Sequence, residues 1–332
     1  MEVLYPRCGG LDVHQATVVA CVRRPGQGRR RTSEVRTFGT TTAELLGLAQ
    51  WLTEQGVTHV AMESTGVLWK PVFNLLEGCC EVILVNPQHF KAVPGRKTDV
   101  RDCEWLAQLL EHGLLRASFI PPQPIRELRD LTRYRKLLIE ERVTKANRVR
   151  KLLESANIKL GLVATDILGA SGRAMLGALR RGERDGAVLA ELARGTLRQK
   201  RAQLAAALTG RFTAHHAALL GDLLDHIDFL DARIAGLSQR IAAAIAPYAG
   251  HVTHLQTIPG VDREAAETIV AEIGVDMSRF PSAGHLASWT GICPGNNESA
   301  GKRKTGKTRK GNRWLKPLLV ECGWGAGRSR RT

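Results

Sequence analysis

The sequence predicts an α/β sheet domain over residues 1–120, an all-helical region over 121–249, and a small helical unit with a basic tail over 250–332. Three observations carry this. Short β-rich runs alternate with helix-period segments as far as Ile120. Pro121, Pro122 and Pro124 then interrupt the pattern, and the chain beyond them keeps a helical period. Past residue 250 come a Pro-Gly turn and a dense run of Lys and Arg.

Taken in order, Gly10–Val22 is β-rich through Leu11, Val13, Thr17, Val18, Val19 and Val22. Ser33–Phe38 reads as a second short strand. Thr41 or Thr42 is placed to cap a helix running to Gln55, with Leu45, Leu48, Ala49 and Leu52 on one face. Val57–Met62 is a short apolar strand, Val67–Leu76 a helix and Glu81–Val85 a buried strand. Pro87, Pro94 and Gly95 make Asn86–Lys97 a loop. Thr98 then caps a helix whose apolar face is Val100, Cys103, Leu106, Ala107 and Leu110. Strands alternating with helices imply an α/β sheet.

Ile125–Asn157 carries ten bases against four acids ahead of Glu154: Arg126, Arg129, Arg133, Arg135, Lys136, Arg142, Lys145, Arg148, Arg150 and Lys151. Such a helix is either a solvated face or a phosphate-binding one. Over 213–246, Leu220, Ile227, Ile234 and Ile241 stand seven apart, with Leu223, Leu230 and Leu237 three further on. Ile at a and Leu at d favours a two-stranded parallel coiled coil, and an intramolecular helix pair is the alternative. Pro247–Gly250 breaks the helix. Leu255–Ile273 then runs L-x-x-I-P-G-V into an Ala-rich helix, like a helix-hairpin-helix element, in which N–H groups at a helix start hold a phosphate. Residues 279–294 form another small helix and turn.

Composition narrows the partners. Lys and Arg number 48 against 32 Asp and Glu, a formal net charge of +16. The isoelectric point near 10.0 points to a polyanion, nucleic acid first. Aromatics are only 5%, so phosphate contact outweighs base stacking as the main binding mode. Seven cysteines without a C-x-x-C pair exclude a disulfide framework and the usual zinc spacings, and imply a reducing, cytoplasmic setting. No apolar run reaches the ~18 residues of a membrane helix, and Asp12 and His14 interrupt any signal-peptide pattern. A membrane partner is not expected.

Four acids stand out. Asp12 lies in an otherwise apolar strand, and Glu63 directly follows another. Asp99 and Asp102 are three apart at a helix start and share a face. A sheet with parallel strands gathers ligands at its carboxyl ends, which would bring the four together. Hard carboxylate oxygens at that density suit Mg²⁺, which relieves their mutual repulsion and activates oxygens around a phosphodiester. Alone, each acid has a plainer reading as a turn or helix cap.

Ser299, in N-E-S-A-G, precedes the basic run Lys302, Arg303, Lys304, Lys307, Arg309, Lys310, Arg313 and Lys316. A serine between small residues, beside cations, suits attack on a phosphoryl group, and the plainer reading is an ordinary loop serine. No adjacent histidine completes a triad; His285 is the closest in sequence. Gly301–Thr308 matches the P-loop pattern G-x-x-x-x-G-K-[ST], but it lacks the preceding strand and following α/β domain that a nucleotide cradle needs.

Asp12 in G-G-L-D-V-H, Glu63 in M-E-S-T-G, and Asp99 and Asp102 in R-K-T-D-V-R-D together resemble the RuvC-like domain of the DEDD transposases of the insertion-sequence "one-ten" family of bacterial mobile elements. I-P-G-V at 258–261, L-A-S-W-T-G-I-C-P-G at 286–295, E-S at 298–299 and the following G-K-T-R-K-G-N are similar to that family's C-terminal transposase domain. The resemblance implies an RNase H-like domain, a coiled-coil region and a serine-bearing domain. It implies that the four acids bind Mg²⁺ and assist a serine nucleophile, by position Ser299, which links covalently to a DNA strand. It further implies element-end and target DNA as substrates, a structured guide RNA as partner, a homo-oligomer as the working form, and a bacterial, nucleoid-associated location.

Family members usually continue with further Ala- and Arg-rich helices, so the ending C-G-W-G-A-G-R-S-R-R-T is expected to be a truncation. Two rival readings stand beside recombination: a metal-dependent nuclease using water, and a shortened nucleic-acid-binding remnant.

Overall fold

The computed structural model describes residues 2–28, 30–86, 102–294, 297–299, 301–308 and 310–328, with the backbone alone at 297–299, 303 and 304. The chain divides into two compact units, Met1–Ile120 and Pro121–Thr332.

The first unit is built on a five-stranded mixed sheet. Its strands are β1 (Cys8–Val13), β2 (Thr17–Pro25), β3 (Arg31–Gly39), β4 (His59–Glu63) and β5 (Glu81–Val85), in the order β3-β2-β1-β4-β5. The β-rich stretch Gly10–Val22 folds as a hairpin, turning at His14, whose N–H donates to the Thr17 carbonyl at 2.9 Å. β1, β2 and β3 pair antiparallel, whereas β1 with β4 and β4 with β5 pair parallel. This mixed α/β architecture agrees with the RNase H-like domain that the resemblance implies.

Alternation divides the sheet residues between two faces. Leu11, Val13, Val60, Met62 and Leu84 pack under α1 (Thr42–Glu54) and α2 (Trp69–Leu76), with Leu48, Leu52, Val72 and Leu76. Cys8, Ala61 and Val85 on the opposite face meet Leu106, Leu109 and Leu110 of α3 (Asp102–Glu111). At Gly10 a Cβ would collide with the Cys103 carbonyl and the Ala107 nitrogen, so α3 rides directly on the β1 backbone. Asn86–Lys97 and the expected Thr98 cap fall largely or wholly outside the described residues.

Among the described residues, the second unit is helical apart from one small hairpin. Two long helices, α4 (Gln123–Ser155) and α9 (Ala214–Ile245), frame it. Between them run α5 (Leu160–Val163), α6 (Ala170–Arg180), α7 (Gly186–Glu191) and α8 (Arg201–Leu208). Val149 and Leu153 of α4 share a core with Leu220, Leu224 and Ile227 of α9. Leu138 packs with Leu230 and Leu237, and Ile125 and Leu128 pack with Ile241 and Ile245. Partners descend α9 as they ascend α4, so the pair is antiparallel. The heptad face is thus covered within the chain, and the expected parallel two-stranded pairing has no free face there.

The expected boundary at 249/250 does not separate two cores either. Ile125, Leu128, Ile241 and Ile245 are buried with Val252, Val261, Ala266, Val270, Leu315 and Cys322. Those residues belong to α10 (Ala249–Gln256), α11 (Arg263–Ile273), α13 (Leu315–Arg328) and the turn before α11. The helix α12 (Ala283–Thr290) and the hairpin β6 (Asn297–Ser299)–β7 (Lys302–Thr305) complete the unit.

Candidate active site and nucleic-acid face

Parallel register sets the acids. Leu11 stands opposite Met62, and Asp12 and Glu63 are the next residues along β1 and β4. Both therefore lie at the carboxyl ends of neighbouring strands. By alternation both belong to the face that carries Cys8, Gly10 and Ala61, under α3. The Cys8 thiol donates to the Ala107 carbonyl at 3.5 Å, and Gly10 sits against Cys103 one turn earlier. Moving toward the carboxyl end of β1 therefore means moving toward the N-terminus of α3. Asp102, the first residue of that helix, shares this end of the sheet.

The Asp12 side chain is 20% exposed, and the His14 Nε2 lies 3.1 Å from its Oδ2. His14 follows Asp12 by two, the spacing that keeps residues on one face of an extended segment. The spacing in D-V-H carries that signal, and sequence reading passed over His14 as a partner of Asp12. The donor chemistry fits a divalent cation: hard carboxylate oxygens, part-exposed, at strand ends. Among the described residues no group of three or more His, Cys, Asp or Glu is gathered closely enough to hold a metal. Asp99 lies outside the described residues.

The opposite end of α3 is closed by charge. Glu111 is fully buried and ion-pairs with Arg23 of β2 at 2.7 Å and with Arg31 of β3. Between the two ends sits a thiol layer. Burial pushes Cys8 and Cys21 up to about 12 and Cys103 to about 11, so all three stay protonated near neutrality.

Ser299 ends β6, opposite Lys302 of β7, at the tip of a tight hairpin whose Gly301 has φ +72°. The stretch expected as a loop is thus a strand end, and β7 runs through the P-loop-like motif in place of a phosphate cradle. Lys302, Lys307, Lys310 and Arg313 are exposed. Lys316 is half-buried and donates to the Thr308 hydroxyl at 2.6 Å. Arg303 and Lys304 are known by their backbone in β7, and Arg309 lies outside the described residues. His285 is engaged in the cap of α12, its Nδ1 2.8 Å from the Ser282 hydroxyl.

Much of the α4 charge is engaged within the fold. Arg133 grips the fully buried Glu272 of α11 with two hydrogen bonds of 2.7 and 2.8 Å. Arg129 donates to the Ala271 and Glu272 carbonyls at 3.1 and 2.6 Å, and its desolvation lowers it to about 10. The buried Arg135 pairs with the buried Glu267 at 2.9 Å. Arg142 pairs with Asp231, while Asp225 and Asp228, at the same three-residue spacing on α9, meet Arg180 and Arg173 of α6. The helix is therefore neither wholly a solvated face nor wholly a phosphate-binding one.

Sequence reading missed Asn312 as well. Its amide nitrogen donates to Glu272 at 2.6 Å, and its oxygen accepts from the Trp314 and Leu315 N–H groups at 2.8 and 3.0 Å, capping α13. Its neighbour Gly311 presses against the Thr290 carbonyl, leaving no room for a Cβ. Within a run of bases, nothing local announces a partner forty residues away. The I-P-G-V turn joins α10 to α11 as expected. Gly260, at φ +83°, backs onto the Cys322 carbonyl, and the Asp262 carboxylate accepts from the Ala265 N–H at 2.8 Å. That carboxylate takes a first-turn donor of the helix start where a phosphate was expected.

Two family models match the chain: a DEDD transposase model of the IS110 group over residues 9–158, and one described as Transposase IS116/IS110/IS902 family over 252–332. Together they cover well over half of it. The chain is 27% identical over 263 residues to a probable family 20 transposase of Pseudomonas aeruginosa, which takes in 79% of this chain and 69% of that protein. It is also 27% identical over 253 residues to a putative transposase of Sinorhizobium fredii, taking in 74% of this chain and 52% of the relative. The match thus spans about half the length of the second relative.

Proposed function

Because this chain belongs to the IS110 family of transposases, we propose that it cuts and rejoins the DNA of a bacterial insertion sequence through a serine–phosphodiester intermediate. Asp12, Glu63, Asp99 and Asp102 hold a divalent cation, Mg²⁺ by ligand hardness. When bound, it supplies Lewis-acid stabilisation of charge on the phosphoryl oxygens. The Ser299 oxygen attacks the scissile phosphorus. One P–O bond to the serine forms as one P–O bond within the strand breaks, and the hydroxyl proton ends on the departing strand's oxygen. The phosphodiester count is unchanged, so rejoining needs no external energy source. Lys302, Arg303, Lys304, Lys307, Arg309, Lys310, Arg313 and Lys316 contact phosphates and hold the strand.

What supports this reading is the register that puts Asp12 and Glu63 at neighbouring strand ends, on the sheet face that α3 covers from Asp102 onward. The net charge of +16 suits a polyanion. The remaining parts of the reading are a structured guide RNA from the element's flank, a working homo-oligomer, an RNase H-like first unit, and a cytoplasmic, nucleoid-associated setting. No helix of the described residues is long and apolar enough to cross a membrane.

The test is a denaturing gel of the full chain incubated with Mg²⁺, the element's end DNA and the flanking RNA, beside Ser299→Ala and Asp102→Ala. A covalent protein–DNA adduct lost in both variants is expected. Cleavage that persists in Ser299→Ala would overturn the serine role and favour a nuclease using water. An adduct independent of the added RNA would remove the guide from the reading.

A further inference from the structure

A cleft of about 340 Å³ opens in the second unit between α4, α11 and α13. A smaller hollow of about 190 Å³ adjoins it and shares Thr132, Lys136, Thr268, Leu318 and Glu321. This is the size range of small-ligand sites. None of the described residues that line it belongs to the acid site.

Its chemistry is specific. Trp314 forms one wall, half-buried, with the Arg133 guanidinium 5.5 Å and the Arg313 guanidinium 4.6 Å from the ring. Arg133 is fixed by its two bonds to Glu272. Arg313 is exposed, and among the described residues no carboxylate pairs with it or with Lys136 on the facing helix. Two exposed carboxylates, Glu140 and Glu321, complete the rim. A simple anion would not call for an indole or for acceptors. A purely apolar ligand would not call for loose cations. A nucleotide uses all of them: its base stacks on an aromatic, its N–H groups donate to carboxylates, and its phosphate takes a cation.

We propose that this cleft seats one unpaired nucleotide of a single-stranded nucleic acid, stacked on Trp314. The base takes the place of Arg313 on the indole, and the freed Arg313 and Lys136 contact the flanking phosphates. A duplex cannot use the site without unstacking a base, so the cleft discriminates single strands from duplexes. This deepens the transposase reading, and rests on it for the class of ligand. The low aromatic content excludes an extended stacking platform, but not a single built stack.

The test is fluorescence anisotropy with the full chain and short unstructured RNA and DNA strands of one sequence, beside the matching DNA duplex, at fixed salt. Trp314→Leu is expected to weaken single-strand binding about ten-fold and to leave duplex binding unchanged. Lys136→Ala is expected to weaken single-strand binding and lower its log–log salt slope by ~0.7. A larger loss with RNA than with DNA identifies RNA as the occupant, and the reverse identifies a DNA strand. Single-strand binding unchanged in both variants, or equal losses on duplex and single strand, would overturn the site. Circular dichroism checks folding; should Trp314→Leu unfold, the exposed Lys136→Ala decides. Because no strand is cut, failure here is distinct from failure of the adduct assay.

Discussion

Glu272 is a carboxylate with no exposed surface, and its position is set by residues far from it in sequence. Arg129 and Arg133 reach it from α4, and Asn312 reaches it from the segment before α13. Glu272→Ala leaves the part-buried Arg129 and Arg133 without their buried counter-charge and is expected to cost ~2–3 kcal/mol, read as a fall in urea midpoint. Asn312→Ala removes one charge-assisted bond and the cap of α13, a loss of ~1–3 kcal/mol. A midpoint unchanged in Glu272→Ala would mean that the network is not closed in solution. Asp12 and Glu63 stand out in the sequence because one interrupts and the other follows an apolar run, and Asp102 because it opens a helix. Glu272 does not, because a glutamate in an Ala-rich helix looks solvated until its partners are known.

At the scale of elements, α3 sets where Asp102 stands relative to β1. It lies on β1 with no space at Gly10, so Gly10→Ala forces helix and strand apart. The expected cost is ~1–3 kcal/mol from overpacking, with strand cleavage lost more steeply than stability because Asp102 moves from Asp12. Thermal unfolding beside the adduct assay separates the two effects. The same interface carries Cys8, Cys21 and Cys103. Each thiol has an ordinary value of 9.0 unfolded and about 11 to 12 folded. Below that range both states keep the proton and there is no slope. As pH rises through it the unfolded thiols ionise first, the folded state holds more protons, and unfolding free energy falls. Urea unfolding from about pH 8 to about pH 11 is expected to show that fall, made shallower by Cys21→Ala or Cys103→Ala. A slope identical in these variants would place the alkaline sensitivity elsewhere.

For the whole molecule, each compact unit has its own buried clusters, on both faces of the sheet in the first and along the α4–α9 pair in the second. Residues 1–120 and 121–332 expressed separately are each expected to unfold cooperatively in urea. A first unit that stays unfolded alone would show that its sheet depends on the second. The excess positive charge makes binding salt-dependent. Replacing Lys302, Lys307 and Lys310 together with Ala is expected to lower the log–log salt slope on duplex DNA by ~2.7, at ~0.9 per phosphate contact. An unchanged slope would move the phosphate contacts to another face.

The sequence by itself determined the classes of element, the α/β-to-helical change at the three prolines, the acid order and the family. These rest on local patterns: period two, period 3.6, proline punctuation, and motifs whose spacing is fixed within a strand and its turn. Only the tertiary structure decided which face of α9 is covered, which α4 bases are engaged, and that 121–332 forms one compact unit. The heptad specifies an apolar stripe, and an apolar stripe does not name its partner. Arg133 and Lys136 are equal bases as letters. One is matched to a buried carboxylate by a helix more than a hundred residues away, and the other is left open to a cleft. Long-range pairing is set by packing the cores at least cost in unsatisfied charge, a property of the folded chain rather than of any segment within it.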